Sequence, residues 1–565
     1  MDTRMHLKSI IDYQEVYGSN RPLEDAYNLI KGIPSITLIS YISGFNIKLY
    51  LNDIGEEAHN IQVQLLNNLI VKAGQESIDR FKEIFQSQLD QGHWPIVFWR
   101  YSNLVFYDLI FKNYNRKAPR DLTNEEAKNV LDAYLIVNSE TSNRFEISKE
   151  EIEAAANAEE TESIILPNFI YQKDYVSTID FSNQLTRGVK FFEWLEASDD
   201  FSDLVQDYYD HLKVSGSGDV FHNLLTIFTQ VGIGEPIEKR KQIIPLWNLI
   251  QFLNKKYIDK LCINSDIEEY QPDITFSKLR NRMLFDVGNT NYFLLDINFL
   301  IDQLYKAQVF GFKFFIEENG YRGNFLSVKG KDFMEDIYFR LIMEKCFPYL
   351  IRFHGDEMVD KEGKELCDYY LRIDSKIILI EFKDILLSAT VKDNAEKDSV
   401  YGAINTKLVE NQKKNPKGVR QLVNAINKLE QEGLSFDDLS KLNDPLEVYP
   451  IVIYTDSSFG YEGINKILNE KFKQQLENNY TKVIPHDVTL INLNFFEIQE
   501  DYLKQERINL FAMLNEYHTH VQGIEFTTTP FEVFSRFYME ANTNKDLGNP
   551  SFMLDVLKTI IPAQE

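Results

Sequence analysis

The sequence predicts a mainly α-helical N-terminal region and a C-terminal α/β (α+β) domain whose central mixed sheet is flanked by helices. Three observations predict this. Residues 367–384, C-D-Y-Y-L-R-I-D-S-K-I-I-L-I-E-F-K-D, alternate with the two-residue period of a β-hairpin. Leu446–Tyr454 and Val488–Phe496 are short apolar runs separated by a helical pattern around Gly463–Glu477. Upstream of residue 330, apolar residues recur mostly at the three-to-four spacing of amphipathic helices.

In chain order, residues 1–150 form a first, mixed but mainly helical domain. Within it Ile36–Leu51 is rich in β-branched and aromatic residues and is expected as strand. Glu57–Phe85 and Asn103–Asn113 read as helices. Trp94 and Trp99 bracket an apolar run; such a pair can stack on a base, but core packing is the expected role. Residues 148–163 are acidic and rich in helix formers, an exposed helix or linker. A second, helical domain, 151–330, has the character of a sensor, regulatory or partner-binding region. Its amphipathic segments are Val189–Ala197, Phe201–Val214, Val220–Val231 and Pro245–Leu261, with a turn at Ser215–Asp219. Gly232–Pro236 lacks the strand and helix context of a phosphate cradle, and no internal repeat emerges. The third domain, 331–500, opens with a helix, Lys331–Phe347, whose stripe is Phe333, Met334, Ile337, Tyr338, Leu341 and Ile342. The hairpin follows, then a polar loop, Ser388–Asp398. A helix after Pro416 buries Val419, Leu422, Val423, Ile426 and Leu429. Residues 501–565 return to helix.

The hairpin carries the strongest functional signal. A tight turn at Asp374-Ser375 puts Tyr369, Leu371, Ile373, Ile378, Ile380 and Phe382 on one face. Asp368, Tyr370, Arg372, Ile377, Leu379, Glu381 and Lys383 share the other. The register sets Asp368 opposite Glu381, with Cβ atoms roughly 4.5–5.5 Å apart. Like charges so placed destabilise a sheet, and a divalent cation between them reverses the sign.

Composition bounds the rest. The chain has 565 residues, 44% hydrophobic and 13% aromatic, enough for sizeable cores. Cys262, Cys346 and Cys367 are widely spaced, without disulfide or zinc spacing, and suit a reducing cytoplasm. No signal-peptide core opens the chain, and no apolar stretch is long enough to cross a bilayer. The net charge of −26 disfavours general nucleic-acid binding. One basic patch runs against it: Lys407, Lys413, Lys414, Lys417, Arg420 and Lys428, with the single acid Glu410, at the entry to the post-Pro416 helix. These side chains and the helix N-terminus are candidate contacts for a nucleic-acid backbone.

The order acid-bearing helix, Asp368, Glu381-Phe382-Lys383, then Gln421 in G-V-R-Q-L-V-N-A-I resembles the PD-(D/E)XK nuclease superfamily, the restriction-endonuclease-like fold. The resemblance spans about residues 331–500. Cys367 stands where the family often has proline, and residues 1–330 resemble nothing named. The resemblance implies a Mg²⁺- or Mn²⁺-dependent endonuclease with catalytic residues Asp368, Glu381, Lys383, Glu335 and Gln421. Asp368, Glu381 and Glu335 hold the metal, a hard ion that prefers carboxylate oxygen. Lys383 positions the attacking water or offsets charge on the phosphate, and Gln421 lines the site. A base role for Lys383 requires a lowered pKa, which nearby carboxylates oppose. DNA is the expected substrate, RNA the alternative. The N-terminal region is expected to restrain the nuclease or dock a protein partner or second copy, as in bacterial anti-phage defence. The other reading is a non-catalytic interaction subunit on the same fold. His518 and His520 lack matching metal partners and are expected solvated. Asp356 and Glu357, in H-G-D-E before the hairpin, are expected in a polar loop.

Overall fold

The computed structural model describes residues 8–50, 55–143, 179–232, 239–241, 243–245, 253–359, 363–394, 397–439, 442, 444–477, 479–523, 526–543 and 550–560. The expected helix or linker at 148–163 lies outside them. The chain divides into two compact units, one of residues 1–148 and 175–318, the other of residues 149–174 and 319–565. No described helix is long and apolar enough to cross a membrane.

The first unit is mainly helical, with a small antiparallel sheet of Ile243–Pro245, Leu284–Gly288 and Asn291–Leu294. Ile36–Leu51 is not strand: Ser35–Leu49 is a helix. Leu38, Ile39, Ile42, Phe45 and Ile47 are all buried, and Ser43 and Asn46 bond the carbonyls of Leu294 and Leu295. A helix enclosed on most sides is apolar around its circumference, which erases the periodicity that identifies it. The helices Phe181–Ala197, Ser202–Leu212 and Ser217–Val231 overlap the expected segments, but the first begins at Phe181 rather than Val189 and the third starts at Ser217, inside the expected turn Ser215–Asp219. Pro245–Leu261 is not one helix: Pro245 ends a strand, and only Lys255–Lys260 is helical among its described residues. Trp99 bonds Asn138 and Trp94 packs edge-on to His59, so both rings are engaged internally.

The second unit is built on a mixed six-stranded sheet. Its strands are β1 (Ile351–His354), β2 (Tyr369–Ile373), β3 (Lys376–Lys383), β4 (Leu446–Tyr454), β5 (Val483–Pro485) and β6 (Thr489–Asn492). β1, β2 and β3 are antiparallel neighbours; β4 runs parallel to β3, and β5 and β6 both pair with β4. The hairpin register is the expected one, with Tyr369 opposite Ile380 and Ile373 opposite Lys376. Asp374 takes the turn's left-handed conformation at φ 48°, which Asp tolerates. β3 is buried on both faces, as a strand covered by helices on each side must be.

Helix α1 runs before β1, as α over Phe325–Val328, π over Lys329–Phe339 and α again over Arg340–Cys346. Its Phe339 stacks on Phe382 at 4.6 Å and meets Tyr369 edge-on. Helices α2 (Lys397–Leu408) and α3 (Gly418–Gln431) pack on the opposite face; the α3 stripe is the expected one, set against Tyr370, Ile377, Leu379, Val448 and Val452. Ser388–Asp398 is not simply loop, since Ala389–Asn394 is helical and α2 begins at Lys397. β6 is shorter than Val488–Phe496 because Asn492 caps a helix over Leu493–Ile498.

Candidate functional site

The site forms where β3 ends beside the entry to β2. Asp368 is fixed through its backbone, its N–H donating to Ile380 and its carbonyl accepting from Gly355, both at 3.0 Å. Its Oδ2 accepts the Phe382 N–H at 2.6 Å. Opposite stands Glu381, 1% exposed. Lys383 Nζ bridges the two, 2.6 Å from Glu381 Oε2 and 3.3 Å from Asp368 Oδ2. The lysine is therefore the counter-ion of the pair that the sequence sets face to face.

Two more carboxylates converge. Glu335 projects from the π-helical part of α1, and Glu365 from the loop before β2. Glu335, Glu365 and Asp368 each place a carboxylate oxygen within 4.8 Å of the others. Sequence reasoning misses Glu365. It sits three residues before Asp368, outside any periodic element; only the returning loop brings it here. Gly355 makes room for it, since a Cβ there stands 3.0 Å from Glu365 Oε2.

Burial, then the negative charge of Asp368, raises the Glu381 pKa to about 8, against the opposing pull of Lys383. The same two causes raise Glu335, opposed by Lys331. Burial pulls Lys383 down, but Asp368 and Glu381 outweigh it and hold its ammonium protonated. An all-oxygen donor set, part of it buried and short of cations, fits Mg²⁺ or Mn²⁺. A buried ion pair ties the supporting elements together. Lys329, at the start of the π segment, bonds Asp384 Oδ2 at 2.5 Å, and Thr455, after β4, bonds Asp384 Oδ1 at 2.7 Å.

Other expected residues fall differently. Gln421 lies on α3 as expected, but its buried Oε1 has no hydrogen-bond partner among the described residues. Lys413 and Lys414 are exposed on the turn before α3, and Lys407 and Lys417 are half-buried. Arg420 is held by Glu410, so the patch has less available charge than its composition implies. Asp356 and Glu357 turn to His354, whose ring and backbone N–H they engage. His518 is not solvated: it is 8% exposed and bonds Thr489 at 2.8 Å. His520 stacks on Phe526. Concavity alone does not point here. A cleft of about 700 Å³ lies in the first unit, where Tyr41, Phe45, Lys48 and Asp121 line it, with no cluster of carboxylates among the described residues around it.

Compared with known proteins, the chain matches no family model, no curated protein and no solved structure.

Proposed function

We propose that the second unit is a metal-dependent endonuclease of the PD-(D/E)XK kind, hydrolysing phosphodiester bonds in DNA. The observation that carries this is the meeting of Asp368, Glu381 and Lys383 within hydrogen-bonding distance, beside a helix-borne acid, Glu335. In this reading Asp368, Glu381 and Glu335 hold Mg²⁺ or Mn²⁺, and Glu365 joins them. The ion, when bound, supplies Lewis-acid stabilisation of the charge that grows on the phosphate. Lys383, kept charged by its neighbours, orients the attacking water and offsets that charge; it is not the base. Gln421, half-buried on α3 with an Oε1 that has no hydrogen-bond partner among the described residues, lines the substrate side. Lys413, Lys414 and Lys417 hold the nucleic-acid backbone, with the half-buried Lys407 and the ion-paired Arg420 contributing less. The mainly helical first unit restrains the nuclease or docks a partner, an arrangement suited to defence of a bacterial cytoplasm against phage. Buried, free Cys262, Cys346 and Cys367 suit that compartment.

The test is cleavage of plasmid DNA, single-stranded DNA and RNA with Mg²⁺ or Mn²⁺, using wild type, Asp368→Ala and Lys383→Ala in parallel. The expected result is metal-dependent DNA cleavage, reduced by about 10² or more in either variant. Equal cleavage by both variants refutes the site. Preferential RNA cleavage makes the protein a ribonuclease with the same site. Mn²⁺ binding without cleavage favours the interaction subunit to which the net charge of −26 also points.

A further inference from the structure

Lys331 has a position that the proposed chemistry does not use. Its Nζ lies 2.6 Å from Glu335 Oε1 and 3.2 Å from Asp336 Oδ1. In a π-helical segment, positions four and five ahead lie side by side, so one lysine reaches both acids. The Lys331 side chain is 48% exposed, whereas Lys383 is 13% exposed and held by two buried partners. The site thus has two counter-ions of different mobility. Lys383 is built in. Lys331 is held on the rim by a pair of the weak, half-solvated kind.

We infer that Lys331 is an exchangeable counter-ion, displaced from Glu335 when a divalent ion binds and then, held only by its longer contact to the half-exposed Asp336, available to contact the substrate phosphate. This exchange rests on the nuclease reading above. Glu335 shares its 4.8 Å neighbourhood with Glu365 and Asp368, so a divalent ion held there competes with the ammonium for the same carboxylate. Two cations close together also repel each other. A lysine on a flexible stem then swings outward at little cost, and its released charge faces the solvent side, where a phosphodiester approaches. The exchange couples the two binding events: the ion frees the lysine, and the lysine adds affinity for the nucleic acid only once the ion is in place.

Exchange predicts tighter ion binding without the lysine and, unlike a lysine that acts only by its charge near the site, an ion-dependent gain in DNA affinity that is lost with it. By isothermal titration calorimetry on the full chain, Lys331→Met should bind Mn²⁺ about 1.5- to fivefold tighter than wild type, because the competitor is gone. Glu335→Gln should bind it more weakly. DNA affinity, measured with Ca²⁺ so that binding is read without turnover, should rise less on adding the ion in Lys331→Met than in wild type. Lys331→Arg, which keeps the cation, should restore that ion-dependent gain. Wild type that binds Mn²⁺ while Lys331→Met binds it equally or more weakly overturns the exchange and leaves the nuclease reading standing. No Mn²⁺ binding by wild type overturns both.

Discussion

The pKa of Glu381 makes ion binding a matter of pH, by an amount that can be worked out. Without an ion its carboxyl titrates at about 8, because it is buried against Asp368. A metal ligand must be ionised, so binding expels a proton. The apparent Mn²⁺ affinity should fall nearly tenfold per pH unit below 8 and level off above it. Between pH 8 and pH 6 the ionised fraction drops from about one half to about one hundredth, and Kd should rise on the order of fiftyfold. Calorimetry in buffers of different ionisation enthalpy should count close to one proton released per ion near pH 7. Glu381→Gln should bind weakly and lose most of that dependence. The stability of the ion-free protein follows with the opposite sense. The folded-state pKa lies above the ordinary 4.5, so the contribution is present below about pH 4.5 and lost as pH rises through about 8. A Kd that changes less than threefold from pH 6 to 8, with no proton released, refutes the account of Glu381 as a buried, proton-holding ligand.

Arg372 and Tyr370 both bond Asp437 in a buried cluster under β2. Asp437→Ala leaves the guanidinium without its partner and should cost about 3–5 kcal/mol, read by hydrogen exchange across β2 and β3. All four tryptophans, at 94, 99, 194 and 247, lie in the sequence range of the first unit, so hydrogen exchange is the readout local to β2 and β3. Gly188→Ala brings a Cβ to 1.8 Å from the Leu304 carbonyl oxygen; it should destabilise the first unit by about 1–3 kcal/mol, and there tryptophan fluorescence in urea reports it. Burial lowers the His518 pKa to about 4, so its contribution to stability should be present above about pH 6.5 and lost as pH falls towards 4. Exchange protection of the helix Leu510–His520 should then fall with acid more in wild type than in His518→Gln. Each of Lys413→Ala, Lys414→Ala and Lys417→Ala should weaken DNA binding uniformly across sequences and lower the salt slope by about one, whereas Arg420→Ala should change it less because Glu410 already neutralises Arg420.

What the sequence made legible, and what it hid, divides along a physical line. The β2–β3 register could be read because period two and a two-residue turn leave one pairing that buries Tyr369, Ile378 and Ile380 together. The α3 stripe could be read because that helix has a wet side. Ser35–Leu49 could not, because its enclosure leaves only a narrow half-exposed strip, of Ile36, Ser40, Tyr41 and Lys48, to mark the period. Helix α1 is the subtler case. The three-to-four rule expects Ile337 and Leu341 inside, yet Ile337 is 46% exposed, and Phe339 and Met343 are buried instead. The buried pairs Phe333–Met334, Tyr338–Phe339 and Ile342–Met343 follow one another at intervals of five and then four, which is the drift a π segment imposes. The same drift puts Lys331 against both Glu335 and Asp336 rather than against one of them. A single departure from α geometry therefore accounts for an error in the predicted core and for the rim lysine on which ion exchange depends. Glu365 was hidden for another reason: no local pattern encodes the return of a loop, and only Gly355, which spares its carboxylate a contact, marks the place it comes back to.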